Sequence, residues 1–281
     1  MGALDGKHVV VLGGGRGVGR AEALACAREG ASVVVNDLGC DPQGAGSDPS
    51  VAREVAHEIE AMGGRALPDA SDIATPGAVG AILSRATSAF GPVDAVVSAA
   101  GAVLSRTVLK MDDAILDRVM EIHVRASFAL VRASARAFID AGRPGAILLH
   151  TAPIGFFGGV RQSALAAASG ATAALVRCAA IELRKHDVRV NAIAPTARTR
   201  TTEDTPLFTG IAANSMSPDF VAPVAVHLIS DAAREVSGEV IGVAGARIYA
   251  LGGRETPGWF TGGAPATQAE LAAGLAEALR S

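Results

Sequence analysis

Short apolar runs alternate with longer stretches of helical period along almost the whole chain. Runs at 9–12, 32–37, just before Ser71, 95–101, 146–151, 188–194 and 239–244 have strand length, and several are apolar at every position. A strand that is apolar throughout is buried on both faces, which is the condition of a parallel sheet covered by helices. Between these runs, apolar residues recur every three or four positions. The pattern predicts helices over 22–29, 50–62 (stopped by Gly63-Gly64), 76–90, 112–141, 162–185 and 219–230. In the long helix at 112–141, Ile115, Val119, Ile122, Ala126, Ala129 and Ala133 share one face. The alternation predicts an α/β fold, a doubly wound parallel sheet of Rossmann type with about seven strands and helices on both faces. It reads as a single domain over 1–281, with a core at about 5–250 and an extension at about 251–281 that holds a terminal helix at 268–279.

Composition narrows the partners. Hydrophobic residues make up 49% of the 281, aromatics only 4%, which suits small side chains packed closely on a sheet. The net charge of −3 is spread along the chain, so no basic stripe invites nucleic acid. No run is expected to supply the roughly 18 apolar residues that span a bilayer. The first residues lack a signal-peptide core, and the reading is a cytoplasmic protein without a membrane partner. The three cysteines, Cys26, Cys40 and Cys178, are far apart, and Cys26 and Cys178 fall in apolar helical stretches as small core residues. No Cys/His cluster has metal spacing, so no metal is expected.

The chemistry is concentrated where the first strand ends, in Gly13-Gly-Gly-Arg-Gly-Val-Gly19. Gly13 permits a tight turn. Gly17 and Gly19 carry no Cβ, so a pyrophosphate can approach the backbone and the next helix can pack close. That helix N-terminus offers free N–H groups and positive dipole to an anion. The spacing is not Gly-x-Gly-x-x-Gly but Gly13-x3-Gly17-x-Gly19, flanked by Gly15, Arg16 and Val18. Asp37, closing the second strand, is placed to hydrogen-bond adenosine ribose hydroxyls. The turn-rich insertion 38–49 is either a solvated loop or a lid beside the adenosine.

The order of these motifs over about residues 5–250 resembles the short-chain dehydrogenase/reductase family. Val33-Val-Val-Asn-Asp-Leu-Gly39 with the insertion behind it looks most like the dehydrogenase units of peroxisomal multifunctional β-oxidation enzymes and their actinobacterial relatives. Those relatives act on 3-hydroxyacyl thioesters or steroid-like ring alcohols. The resemblance implies that Asp72 meets the adenine, although Asp72 equally suits an N-cap, with Ile73 beside it. It implies that Ala99, Ala100 and Gly101 let the cofactor pass. Pro195 and Thr196 would open a nicotinamide loop, in which Thr199 contacts the carboxamide or phosphate. The loop 198–218, with Leu207, Phe208 and Ile211 embedded in it, reads as a substrate lid. The Ala-rich helices at 112–141 and 162–185 would pair across subunits, giving a homotetramer or at least a dimer.

The family's acid–base residues are absent. Its Ser, Tyr, Lys and Asn fall at Ala152, Leu165, Ser169 and His123. The conclusion needs no alignment, because Tyr249 is the only tyrosine and no lysine stands four residues after it. The candidates for replacement chemistry are four. His123 is either a proton relay or a histidine bonded to a backbone carbonyl. Thr151 and Ser163 either bind a substrate oxygen or bond the local backbone. Ser169 takes the ribose in place of Lys. His150, on the opposite face from Thr151, reads as structural. Pro153, Ile154, Phe156, Phe157, Leu165 and Phe208 suggest an apolar pocket or, singly, ordinary core.

The expected function is therefore an atypical NAD(P)(H)-dependent oxidoreductase acting on an apolar or polycyclic ketone or alcohol. NAD(H) is favoured because Asp37 opposes a 2′-phosphate, and NADP(H) is possible through Arg16. The alternatives are an inactive cofactor-binding or partner subunit, and a non-redox isomerase or cyclase.

Overall fold

The computed structural model describes residues 2–203, 205–212, 214–253, 256 and 266–271. The chain divides into two compact units, Met1–Leu251 and Gly252–Ser281. In the first unit the strands are β1 (His8–Leu12), β2 (Ser32–Asn36), β3 (Arg65–Asp69), β4 (Ala95–Ser98), β5 (Gly145–His150), β6 (Val188–Thr196), β7 (Val240–Ala244) and β8 (Arg247–Ala250). They form one eight-stranded sheet in the order β3-β2-β1-β4-β5-β6-β7-β8. All pairings are parallel except β7 with β8. The order runs outward in both directions from β1, which puts the carboxyl ends of β1 and β4 at a topological switch point.

The expected doubly wound sheet of about seven strands is present, with an eighth at its edge. Its sequence, Arg-Ile-Tyr-Ala, is short and mostly exposed, so no apolar run announces it. It returns by a tight turn at Gly245 and covers the edge of β7. The ring of Tyr249 lies where a Cβ on Gly242 would stand, and the Arg247 guanidinium sits 4.4 Å from the ring centre.

Alternation along the strands sorts the core into two layers. Val9, Val11, Val33, Val35, Val97 and Leu148 face helices α1 (Gly17–Arg28), α2 (Ser50–Ala61) and α8 (Ala222–Ile229). Val10, Leu12, Val34, Val96, Ile147 and Leu149 face α3 (Ala78–Phe90), α5 (Ala126–Asp140) and α7 (Ser163–Leu183). Each fully buried Val or Leu contributes about 1.5–3 kcal/mol, so the two layers carry most of the fold's stability.

The long helix expected over 112–141 is not uniform. Asp112 caps α4 (Asp113–Met120) by accepting from the Ile115 N–H at 2.8 Å. A wider π turn over Glu121–Arg125 then precedes α5. Such turns displace the helix backbone outward, and they cluster at functional sites. A four-residue helix, α6 (Ile154–Phe157), joins β5 to α7.

Two other expectations change. Cys178 is exposed, on the outer side of α7, whereas Cys26 is buried. The stretch Ser163–His186 is long and apolar enough to cross a membrane by length and composition, contrary to the sequence reading. Its inner side packs on β6 and β5, where Ala168, Ala173, Val176 and Ala179 are buried. In the second unit, the Thr267 hydroxyl and N–H both donate to Glu270 Oε2 (2.7 and 2.8 Å), a capping box. The helix expected over 268–279 starts there, and its part beyond 271 lies outside the described residues.

Candidate dinucleotide site

A cleft of about 300 Å³ runs along the carboxyl ends of the strands, across the switch point. Gly13, Arg16, Gly17, Val18 and Gly19 line its middle. Gly13 has φ +75°, a left-handed conformation that a side chain would strain, and a Cβ there would strike the Ala99–Ala100 backbone. A Cβ on Gly19 would strike the Gly13 carbonyl oxygen. The turn and the first turn of α1 are thus packed backbone to backbone, leaving α1's first N–H groups facing the cleft.

Asp37, Asp72 and Ile73 line the cleft on the β2–β3 side. Asp37 Oδ2 accepts from the Gly15 N–H at 2.9 Å and Oδ1 from the Gly39 N–H at 2.8 Å. Gly15 itself does not line the cleft: its role is to hold Asp37. Asp72 Oδ1 accepts from the Ala74 N–H at 2.9 Å, so it caps its own turn while lining the cleft. Behind it, Asn36 Nδ2 donates to Asp69 Oδ1 at 2.8 Å. Burial works to raise the Asp69 carboxyl's pKa, but bonds from Ser71, Asn36 and Arg85 outweigh it and hold the carboxyl below the usual range.

The insertion 38–49 comes back to this side, and Leu38, Cys40 and Gly44 line the cleft. Arg16 Nη1 and Arg200 Nη2 each donate to the Cys40 carbonyl at 2.9 Å, and Arg118 Nη2 donates to the Gly44 carbonyl at 3.2 Å. Three guanidiniums from three elements therefore pin it.

On the β4–β6 side, Ala99, Ala100, Gly101, Pro195 and Thr199 line the cleft, and Thr196 does not. Ala152, Leu165, Ser169 and His123 do line it, together with Thr151. The four positions where the family's acid–base residues would fall converge on one cleft. Of the polar side chains here, those of Thr151 and His123 are engaged with the backbone. Thr151 Oγ1 donates to the Ser169 carbonyl at 2.9 Å, locking β5 to α7. His123 Nε2 lies 3.0 Å from the Ala102 carbonyl oxygen and 3.3 Å from the Ala102 nitrogen. Burial lowers its pKa, and the Ala102 bond opposes that without reversing it. Of the two readings of His123, this is the backbone-bonded one. Ser169 is buried, and no described residue bonds its hydroxyl. Ser163 begins α7 and does not line the cleft.

The apolar pocket expected from six residues shrinks to one, since only Leu165 lines the cleft. Phe157 is exposed at 75%, Phe156 packs against the core layer of α7, and Phe208 is buried beneath the Arg198 guanidinium, 5.3 Å from its centre. Arg198 Nη2 also donates to the Phe208 and Ile211 carbonyls, at 3.0 and 3.2 Å, so the loop after β6 is tied to its own start.

Sequence reasoning missed the polar pair inside the cleft wall. His150 lines the cleft, and its Nε2 lies 2.9 Å from Oε1 of Glu22 on α1. The available signal was a single acid, Glu22, on the buried face of an otherwise apolar helix. A larger recess of about 620 Å³ lies between α3 and α5, beside the segment that enters β4, with Arg132, Arg136 and Asp140 exposed along it.

Residues 7–209 match the family model described as short chain dehydrogenase. The chain belongs to the short-chain dehydrogenase family. It is 34% identical over 253 residues to a short-chain type dehydrogenase/reductase of Mycobacterium tuberculosis, covering 90% of this chain and 84% of the relative. It is 35% identical to the mouse peroxisomal multifunctional enzyme type 2 over 83% of this chain, but spans only 31% of that enzyme. A hydroxyacyl-CoA dehydrogenase of M. tuberculosis is 34% identical over 87% of this chain and 79% of its own. The crystal structure of a short chain dehydrogenase from Mycobacterium avium superposes with a TM-score of 0.87 at 35% identity, covering 99% of this chain and 96% of that one. A 7α-hydroxysteroid dehydrogenase solved with NADH and 7-oxo glycochenodeoxycholic acid gives 0.77 at 30% identity, covering 86% and 94%. This is a family of nicotinamide-dinucleotide oxidoreductases, and the cleft fits such a cofactor: a Cβ-free cradle at the switch point, an acid on the adenosine side, and a small-residue floor at Ala99–Gly101.

Proposed function

We propose that this protein binds NAD(H) and interconverts a ketone and an alcohol on an apolar or polycyclic small molecule, without a Tyr/Lys pair. One observation carries the reading. The glycine turn, the α1 N-terminus and Asp37 stand together in one half of the cleft, while Leu165 and Ala152 line the other half, at the positions that the family resemblance gives to the proton donor and the substrate-oxygen ligand. When bound, the nicotinamide supplies a hydride. The chain's own contribution is to hold and orient: Asp37 takes the adenosine ribose, the α1 N-terminus the pyrophosphate, Pro195 and Thr199 the nicotinamide side, and the Ser169 hydroxyl the second ribose. A positioned hydride donor retains a large share of catalysis even when an acid worth about 10²- to 10⁴-fold is lost. NAD(H) is preferred because Asp37, held by two N–H groups, puts a negative charge where a 2′-phosphate would lie. Relatives acting on hydroxyacyl-CoA and a bile-acid steroid support a bulky, largely apolar substrate.

The same loss of acid–base residues favours a second reading, a dinucleotide-binding subunit without turnover. The exposed apolar side chains Phe128 and Ile139 on α5 and Ile181 on α7 support a dimer or tetramer built on these helices. Three free cysteines support a reducing, cytoplasmic setting. The deciding experiment is titration with NADH and NADPH, followed by NADH oxidation with a panel of steroid ketones and 3-ketoacyl thioesters. Turnover of any member establishes the first reading; tight binding with no turnover establishes the second.

A further inference from the structure

Glu22 lies on α1 with 0% of its surface exposed. Oε1 accepts from Nε2 of His150 at 2.9 Å, and Oε2 has no partner among the described residues. A carboxyl group buried with half of its bonding capacity unused is poor scaffolding. Well-packed apolar side chains at the two positions would generally fold at least as well. The cost is borne at the wall of the cleft, because His150 lines it.

His150 ends β5, which lies two strands beyond β1 on the side away from Asp37. In a doubly wound sheet the two nucleotides lie on opposite sides of the switch point. Asp37 marks the adenosine side, so His150 stands on the nicotinamide side. Its Nε2 is committed to Glu22. No described residue bonds Nδ1, which is therefore the ring atom left for a ligand. A carboxylate behind one imidazole nitrogen fixes the ring's orientation, the logic by which buried acids support catalytic and metal-binding histidines.

We propose that the Glu22–His150 pair is part of the dinucleotide site on its nicotinamide half, where it makes the cleft discriminate between the oxidised ring, a cation, and the reduced ring, which is neutral. This rests on the reading that the cleft binds a nicotinamide dinucleotide. With one proton, on Nε2 and shared toward Oε1, the pair carries a net charge of −1 and attracts the cationic ring. With a second proton, on Nδ1, the pair is neutral and that attraction is gone. The wall is partly desolvated, which strengthens the difference. Binding of the oxidised form therefore expels the Nδ1 proton to solvent, with no bond in the dinucleotide made or broken. By reciprocity, raising the pH strengthens binding of the oxidised form and leaves the reduced form nearly unchanged.

Few other groups face the pair. On α1 itself Cys26 is buried one turn on, and burial with Glu22 pushes its thiol far above the ordinary range. The α8 side presents buried Ala222, Ala225 and Val226, with His227 and the neighbouring Asp219 exposed, and every charged residue of α2 is exposed. From β4 and β6 come Ser98 and Pro195, which do not titrate. The other charged residues lining the cleft are Arg16, Arg118 and Arg200, which bond the carbonyls of the 38–49 insertion, Asp37 and Asp72, which accept from backbone N–H groups, and His123, which is occupied by the Ala102 backbone.

The test is calorimetric titration with NAD⁺ and with NADH, each in two buffers of different ionisation heat, from about pH 6 to about pH 8. The expected result is proton release on binding NAD⁺ alone, and a Kd(NAD⁺)/Kd(NADH) ratio that falls about tenfold over that range. The double variant Glu22→Leu with His150→Leu should bind both forms with a flat ratio and no proton release. Should that chain fail to fold, Glu22→Gln reads the same quantity: with the negative charge gone, the ratio should move against NAD⁺ at the upper end of the range. A wild-type protein that binds both forms with a constant ratio and no proton release overturns the proposal. So does a variant that keeps the wild-type slope. If neither dinucleotide binds the wild type, the functional reading fails first, and the proposal with it.

Discussion

The two halves of the cleft are built on one sheet from equivalent strand–helix units, yet they spend their polar residues differently. On the β2 side, the side proposed for the adenosine, backbone N–H groups hold both oxygens of the Asp37 carboxylate at the cleft lining. On the β5 side, proposed for the nicotinamide, one hydroxyl and two imidazoles bond within the protein. Thr151 bonds the Ser169 carbonyl, His123 bonds Ala102, and His150 bonds Glu22. The first half depends on main-chain geometry, which side-chain drift leaves alone. The second depends on side-chain identity, and three of its polar side chains are engaged in bonds within the protein.

The most severe way to break the cradle is Gly19→Ala. The added Cβ meets the Gly13 carbonyl oxygen, so the turn must open. NADH affinity should fall by at least about 100-fold, since the α1 N–H groups lose their aim. Fluorescence titration checks this, and affinity within a few-fold of wild type would show that the turn is softer than its packing implies. Next in size is Asp37→Ser, which removes the charge and frees the Gly15 and Gly39 N–H groups. NADH binding should weaken about tenfold and NADPH binding should improve. Tighter NADPH than NADH binding in the wild type would reverse the assigned preference.

The nicotinamide side can be probed by restoration. Leu165→Tyr adds a phenol to a wall that is 9% exposed at this position, with no lysine to lower its pKa. It should cost about 1–3 kcal/mol in chemical denaturation and raise no turnover. A gain in ketone reduction would mean that the half-site is still poised for the family's chemistry. The smallest effect concerns His123. Burial lowers its pKa in the folded state. Its contribution is therefore complete above the unfolded value of about 6.5 and is lost as the pH falls from there through the folded value. The wild-type Tm should drop over that acid interval, and His123→Asn should flatten the drop. An equal drop in the variant would place the effect elsewhere, Asp69 being the next candidate because its depressed carboxyl loses its contribution at lower pH.

The legible parts of this molecule were those written in local pattern. The alternation of Val9–Leu12 and its kin gave the sheet, the glycine run gave the cradle, and the strand-ending acid gave Asp37. The illegible parts depend on contacts between distant segments. Glu22 and His150 are 128 residues apart, and neither carries a local sign of the other. The π turn at Glu121–Arg125 contains neither Gly nor Pro, so the helical period runs through it unbroken. Phe156, Phe157 and Phe208 read as pocket because they are apolar near a catalytic segment; which way each ring turned was decided by α7 and Arg198, not by its neighbours in sequence. The arginine contacts to the insertion escaped notice because their acceptors are carbonyls, which sequence does not distinguish.

The hairpin that ends the sheet has a spectroscopic consequence. Tyr249, seated on Gly242 under Arg247, is the only phenol in the chain, and the only indole lies in the second unit. Tyrosine absorbance of the first unit therefore reports one place, the β7–β8 edge. An edge held by a single short antiparallel strand opens at lower free energy than the parallel core. On warming, the phenol signal should move ahead of far-ultraviolet ellipticity, and the gap between the two curves would measure how far fraying precedes global melting.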